Sequence, residues 1–205
     1  MIDELKAIVG QDEQIMYEGK PNKKCFIFEC IFNPLLPFAL LWAIIDFGFI
    51  GGALSQGDMG DIGAFLIPFF LLHLMPVWIY LGGILFSFRK YRNTAYVVTD
   101  RAIYVSEGIF RKNFIRKSFG ELSHINLHRG IFDQWFKVGD VIATSNQIGP
   151  KGKNVAIKIS SIDNYIEVYN LVKKLQTDVY TDVMYPNALR PGENPGYQTK
   201  YKGKE

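Results

Sequence analysis

Asp46 and His73 each stand inside a long apolar run, NPLLPFALLWAIIDFGFIGGALS from Asn33 and IGAFLIPFFLLHLMPVWIYLGGILFSF from Ile62. An ionisable group placed deep in a bilayer costs about 3 kcal/mol on insertion scales and faces protein or a water-filled path. Counted from the segment between the runs, Asp46 lies nine residues from Ser55 and His73 twelve from Asp61. Helices rising about 1.5 Å per residue set them roughly 14 and 18 Å deep. The similar depths leave two chemistries open. One is a hydrogen-bonded pair that locks two helices together; the other is a proton or ion relay, which needs an oligomer because two helices enclose no path. Gly48 and Gly52, spaced G-x-x-x-G, allow the close helix contact either one requires.

A second group of chemically active residues is FRKNFIRKSF, Phe110 to Phe119, which sets Arg111, Lys112, Arg116 and Lys117 among apolar neighbours. Such a stretch meets an anionic membrane, nucleic acid or water. It follows the Glu107-Gly108 turn, so Arg111 and Lys112 belong to a hairpin tip and Arg116 and Lys117 to opposite faces of the next strand. The basic groups lie on no recognition helix and no aromatic base-stacking sheet, which argues against nucleic acid. A solvated outer face and a tip aimed at anionic headgroups remain.

Other chemistry is thinly represented. His124 and His128 have the spacing of a helical metal pair, but on a strand of ~3.3 Å per residue they stand about 13 Å apart and cannot share an ion. Nucleophile-elbow, phosphate-loop, H-E-x-x-H and dinucleotide motifs are missing from the sequence. The reading is a protein without catalytic activity or cofactor, and an enzyme built on His124 or Asp140 has no motif behind it. Cys25 and Cys30, five positions apart, fit reduced thiols rather than a disulfide framework or a zinc site.

The elements that must position these groups follow from hydropathy. Aromatic residues are 15% and charged residues 21%, and the apolar ones gather in the first half, which points to membrane segments followed by a polar part. Each apolar run exceeds the about 20 residues that cross a hydrocarbon core. Two transmembrane helices are expected, about 33–54 and 62–88, joined by the short Ser55–Asp61 turn. The first run starts too far from the acidic N-terminus, MIDELK, to be a cleavable signal. Lys20, Lys23 and Lys24 precede the pair and Arg89, Lys90 and Arg92 follow it, while the turn carries only acidic charge. Both termini are therefore expected in the cytoplasm of a multi-pass cell-membrane protein. Residues 89–175 carry 15 Lys and Arg against 7 Asp and Glu, and each juxtamembrane cation gains about 1 kcal/mol near an anionic leaflet.

Beyond Arg92 the period shortens to two. TAYVVT, RAIYV, LSHINLH and NVAIKI read as strands between turn formers, the last two with the alternation of a half-buried strand. In SIDNYIEVYNLVKKLQ, Ser160 or Ser161 can cap a helix whose apolar stripe includes Tyr165, Val168, Tyr169, Val172 and Leu175. The tail from about Pro186 is rich in Pro, Gly and charge, without a period, and disorder is expected.

Tyr96, Val98, Thr99, Asp100, Gly108, Leu122, Ile125, Gly139 and Val141, together with the apolar pair and the Glu13–Pro21 segment, resemble the membrane-anchored type of the bacterial pleckstrin-homology-like (PH-like) family. The sequence departs from the family's habit at Lys137 and Val138, where arginine and leucine are more usual. The resemblance implies a membrane-anchored α+β protein: a transmembrane helical hairpin, then a PH-like antiparallel β-barrel capped by a C-terminal α-helix. The expected divisions are a cytoplasmic segment 1–30, the hairpin 31–88, the PH-like domain 89–178 and a disordered tail 179–205. Function must come from the site, since folds host many activities. The leading reading is a module binding anionic lipid, or a protein partner, through Arg89, Lys90, Arg92, Arg111, Lys112, Arg116 and Lys117. Homo-oligomers are a further expected partner, and a small oligomeric transport subunit using Asp46 and His73 is the alternative.

Overall fold

The computed structural model describes residues 1–55, 60–149 and 154–184. The chain divides into two compact units, Met1–Phe26 with the chain from Lys90 onward, and Ile27–Arg89. The N-terminal residues thus belong with the rear half in one unit.

In the first unit the elements before the apolar runs are α1 (Ile2–Lys6), β1 (Ile15–Gly19) and the start of α2 (Lys23–Ile31). After them come β2 (Ala95–Thr99), β3 (Ala102–Glu107), β4 (Asn113–Ser118), β5 (Leu122–His128), α6 (Ile131–Phe136), β6 (Gly139–Ile148), β7 (Asn154–Ile162) and α7 (Tyr165–Met184). The unit is α+β, with antiparallel sheets and a C-terminal helix. Its described strands form two sheets, β1-β2-β3-β4 and β5-β6-β7, where the resemblance implied a PH-like antiparallel β-barrel. The ladder is interrupted after β4, where a single 3-10 turn, Phe119–Glu121, redirects the chain.

Alternation on β2 and β3 explains why both sheet faces are dry. Tyr96, Val98, Ile103 and Val105 join Val141, Ala143, Ile157 and Ile159 of the second sheet in the main core. Their neighbours Ala95, Val97, Ala102 and Tyr104 are covered from the other side by Leu5, with Met1, Ile2 and Val9 packed around it. These strands are therefore buried on both faces. In α7 the buried seam is Val168, Val172 and Leu175, spaced for one helical face, with Tyr165 and Tyr169 on its flank. Burial pushes the Tyr96 hydroxyl up to about 12.

Three expectations at the rear change. α7 begins at Tyr165 and its first turn is closed by Val168 N–H on Asn164 O, 3.1 Å. Ser160 and Ser161 lie in β7, and Ser161 N–H bonds Asp140 Oδ1 at 2.8 Å instead of capping the helix. The helix continues through residues 179–184, where a disordered tail was expected, because Val179 still packs on the core. The remainder of that tail, 185–205, lies outside the described residues.

Glycine is required at two places. Gly108 has φ +134°, and a Cβ there would fall 1.8 Å from Arg111 O, so this residue makes the β3–β4 turn. At Gly139 a Cβ would meet the Tyr165 ring at 2.8 Å, so the missing side chain lets α7 approach β6 closely.

The second unit holds the apolar runs. α3 (Leu35–Ser55) starts after Asn33, whose Oδ1 accepts the Leu35 N–H at 2.8 Å. Its side chains Leu41, Ile44, Phe47 and Phe49 are exposed. Within it, Leu35–Ala53 is long and apolar enough to cross a membrane, and among the described residues it is the one helix that is. The second run is not one continuous helix as expected. It breaks at Leu74 into α4 (Gly60–His73) and α5 (Met75–Asn93), because Pro76 has no N–H to donate and its ring clashes with the carbonyl four residues back. Carbonyls at the break accept from indoles instead: Trp42 Nε1 bonds His73 O at 2.7 Å and Trp78 Nε1 bonds Leu71 O at 3.0 Å. Of the expected turn between the runs, residues 56–59 lie outside the described residues.

Candidate functional site

The basic stretch occupies the β3–β4 hairpin. Glu107 pairs with Asn113, leaving Gly108 to Lys112 as the tip, with Phe110 71% exposed and Arg111 and Lys112 also exposed. The tip is held from below by Asn93, the last residue of α5, whose Nδ2 donates to Gly108 O at 3.1 Å.

The four cations do not act as one patch. Lys112 Nζ pairs with Glu4 at 2.8 Å, both side chains well exposed, an arrangement that solvent screens strongly. Arg116 points to the face covered by α1, donating from Nε to Tyr104 OH (2.9 Å) and from Nη2 to Glu13 Oε1 (3.2 Å). Lys117 turns the other way, to Gln147 Oε1 (2.7 Å) and Glu121 (3.5 Å). Arg116 and Lys117 are thus engaged within the fold, and sequence reasoning missed this because Glu13 lies about a hundred residues upstream of Arg116 and Gln147, the other partner of Lys117, lies on the second sheet.

Glu13 is the centre of a latch. Thr99 Oγ1 donates to its Oε2 at 2.6 Å and Tyr104 OH to its Oε1 at 2.9 Å. Burial disfavours its charge, but the bonds from Thr99, Tyr104 and Arg116 outweigh burial and hold its carboxyl below the usual range. Beside it Gln14 N–H bonds Asp100 Oδ1 at 2.9 Å, and Asp100 N–H returns to Gln14 O at 3.0 Å. The Glu13–Pro21 segment and the Thr99-Asp100 turn thus meet across the apolar runs.

The unit's exit and re-entry points lie together. The chain leaves at Phe26 and returns at Lys90, with the Phe26 and Tyr91 rings 6.0 Å apart and Lys90 Nζ over the Phe26 ring at 5.9 Å. Arg89, Lys90 and Arg92 are exposed at this place, as are Lys23 and Lys24. Cys25 is buried, and its Sγ donates to Asp133 Oδ1 of α6 at 3.5 Å. Cys30 is a free thiol as well.

In the second unit Asp46 and His73 are brought together. His73 Nδ1 lies within hydrogen-bond distance of Asp46, 2.8 Å from Oδ1 and 3.1 Å from Oδ2. Asp46 is 1% exposed. The imidazole stacks on Phe69 (5.2 Å, 16°) and packs against Trp42 (5.1 Å), so carboxylate and aromatic rings fix its orientation. His124 and His128 both lie exposed on β5, four residues apart along one strand, which keeps them from sharing an ion. Asp140 is bound by Ser161 N–H and Lys158 (2.8 Å).

A groove that sequence reasoning did not find lies between the start of β5 and α7. About 540 Å³ in volume, it is lined by Phe119, Gly120, Leu122, Ser123, Asn146, Gln176, Thr177 and Tyr180, with no cationic or acidic side chain.

Comparison with curated proteins returns no match, and comparison with solved structures returns none. A family profile described as bacterial PH domain matches residues 36–176, a span that takes in the apolar runs, both sheets from β2 onward and most of α7. The chain belongs to the bacterial PH domain family.

Proposed function

We propose that this chain is an integral protein of the cytoplasmic membrane, its apolar runs forming a bent two-crossing hairpin, and that its PH-like unit binds anionic headgroups at the inner face without catalysis. The observation that carries this reading is the tie from Asn93, at the end of α5, to the β3–β4 tip. A helix that leaves the bilayer at Asn93 holds Phe110, Arg111 and Lys112 close to the headgroups. Lys23, Lys24, Lys90 and Arg92, next to the exit and re-entry points, supply further attraction.

Strand pairing supports the hairpin. β1 precedes the apolar runs and β2 follows them, yet the two are hydrogen-bonded neighbours, so the intervening chain crosses a membrane an even number of times. Once α3 crosses, α4 and α5 must return. The indole bonds to the carbonyls at Leu71 and His73 support a bent return helix in hydrocarbon. The stacked, hydrogen-bonded Asp46–His73 pair fits a lock between helices better than a relay.

Full-length protein in nanodiscs tests the lipid reading through amide exchange of residues 108–113. Anionic lipid slows this exchange relative to neutral lipid, and Arg111→Gln with Lys112→Gln removes the difference. Equal exchange of the wild type in both lipids sinks the reading. The uncharged β5–α7 groove favours a second occupant, a protein segment, and its sign is slower exchange of β5 on adding a partner.

A further inference from the structure

α6 is a six-residue helix, IFDQWF, with an unusual distribution of its large side chains. Asp133 turns inward, taking the Gly130 N–H at 2.7 Å and the Cys25 thiol at 3.5 Å. At about 100° per residue, positions two before and two after it lie on the opposite side of the helix. These are Ile131 and Trp135, which are 71% and 70% exposed although Trp135 also meets the Phe132 ring at 5.9 Å. Phe132 and Phe136 are half-buried beneath them. Lys137 follows in the left-handed conformation with an exposed side chain.

We infer that α6 is an interfacial anchor, with Ile131 and Trp135 seated at the boundary between headgroups and acyl chains of the membrane the protein crosses. The occupant follows from the position of the helix. Its inner side touches Cys25, one residue before the point at which the chain leaves the unit. Lys23, Lys24, Lys90 and Arg92, next to the exit and re-entry points in the chain, are exposed. An exposed tryptophan and isoleucine on a helix that touches the residue before the exit suit a membrane interface, where tryptophan is favoured and an apolar side chain gains by immersion. The inference rests on the membrane-crossing reading and adds a docking element separate from the basic tip.

The test uses full-length protein in a Cys30→Ser background, reconstituted in nanodiscs, with an environment-sensitive fluorophore on Ile131→Cys or, in a second variant, Trp135→Cys. Leu41→Cys on α3 is the hydrocarbon control and Glu167→Cys on α7 the aqueous control. Lipids brominated near the headgroup end of the acyl chain quench the label at 131 and 135, whereas the label at 167 keeps its emission and stays open to an aqueous quencher. Labels at 131 and 135 that behave like 167 overturn the anchor while a quenched Leu41 control leaves the crossing intact. Labels shielded from water yet unquenched by bromolipid mean that protein covers α6, which also overturns it. An unquenched Leu41 control removes the crossing and the anchor with it.

Discussion

Replacing Glu13 by alanine dissolves the latch that joins the N-terminal strand to the rear half, and its cost can be worked from the three donors. Thr99 retains Ala102 O as an acceptor at 3.1 Å, and Arg116, half exposed, turns to water. Tyr104 is 3% exposed and loses the charged acceptor of its hydroxyl proton. One charge-assisted bond from a buried donor is worth about 2 kcal/mol, or roughly a thirty-fold change in an opening equilibrium. Amide exchange of β1 in the full-length protein, measured in nanodiscs, reads that opening. Glu13→Gln keeps one acceptor and is expected to fall between wild type and alanine. The pH dependence has a definite sign: the folded carboxyl lies below 4.5, so its contribution is complete above that value and is lost as pH falls through the folded pKa. Glu13→Ala lacks this acid-dependent loss after correction for intrinsic exchange. Unchanged β1 exchange in Glu13→Ala refutes the latch.

Two other perturbations address the turn and the helix pair. Gly108→Ala forces a side chain into a φ of +134° with a backbone oxygen 1.8 Å from its Cβ; a loss of about 3 kcal/mol is expected, seen as a lower thermal midpoint and faster exchange at the tip. His73→Leu strips the partner from a carboxylate that is 1% exposed and costs about 3–5 kcal/mol, while Asp46→Leu with His73→Leu recovers part of it. Unfolding in detergent ranks the variants. A pH-dependent flux into liposomes that disappears with His73→Leu contradicts the structural lock.

The strands and α7 were legible because their periods are local, as in Val168, Val172 and Leu175. The Asp46–His73 pair was legible because a helix converts residue number directly into depth. β1 was not, since five residues whose partner lies some eighty positions downstream leave little local signal. The same distance hid the roles of Arg116 and Lys112, whose acidic partners sit in the first turns of the chain. Burial of β2 and β3 on both faces was not legible, because nothing within them announces that α1 covers their second face. The break at Leu74 had a local cause in Pro76, yet summed hydropathy over the second run concealed it. α6 was not anticipated, and which of its residues face outward depends on Asp133 finding Cys25, over a hundred positions away.

The proposed membrane hairpin depends most on an even number of crossings, the reading drawn from the pairing of β1 with β2. Single cysteines at Lys20 and Glu167, exposed residues on either side of the apolar runs, test it in a Cys30→Ser background with a membrane-impermeant maleimide. Both sites are expected to label in inverted membrane vesicles and neither in intact cells. Labelling of one site from each side of the membrane would contradict the account.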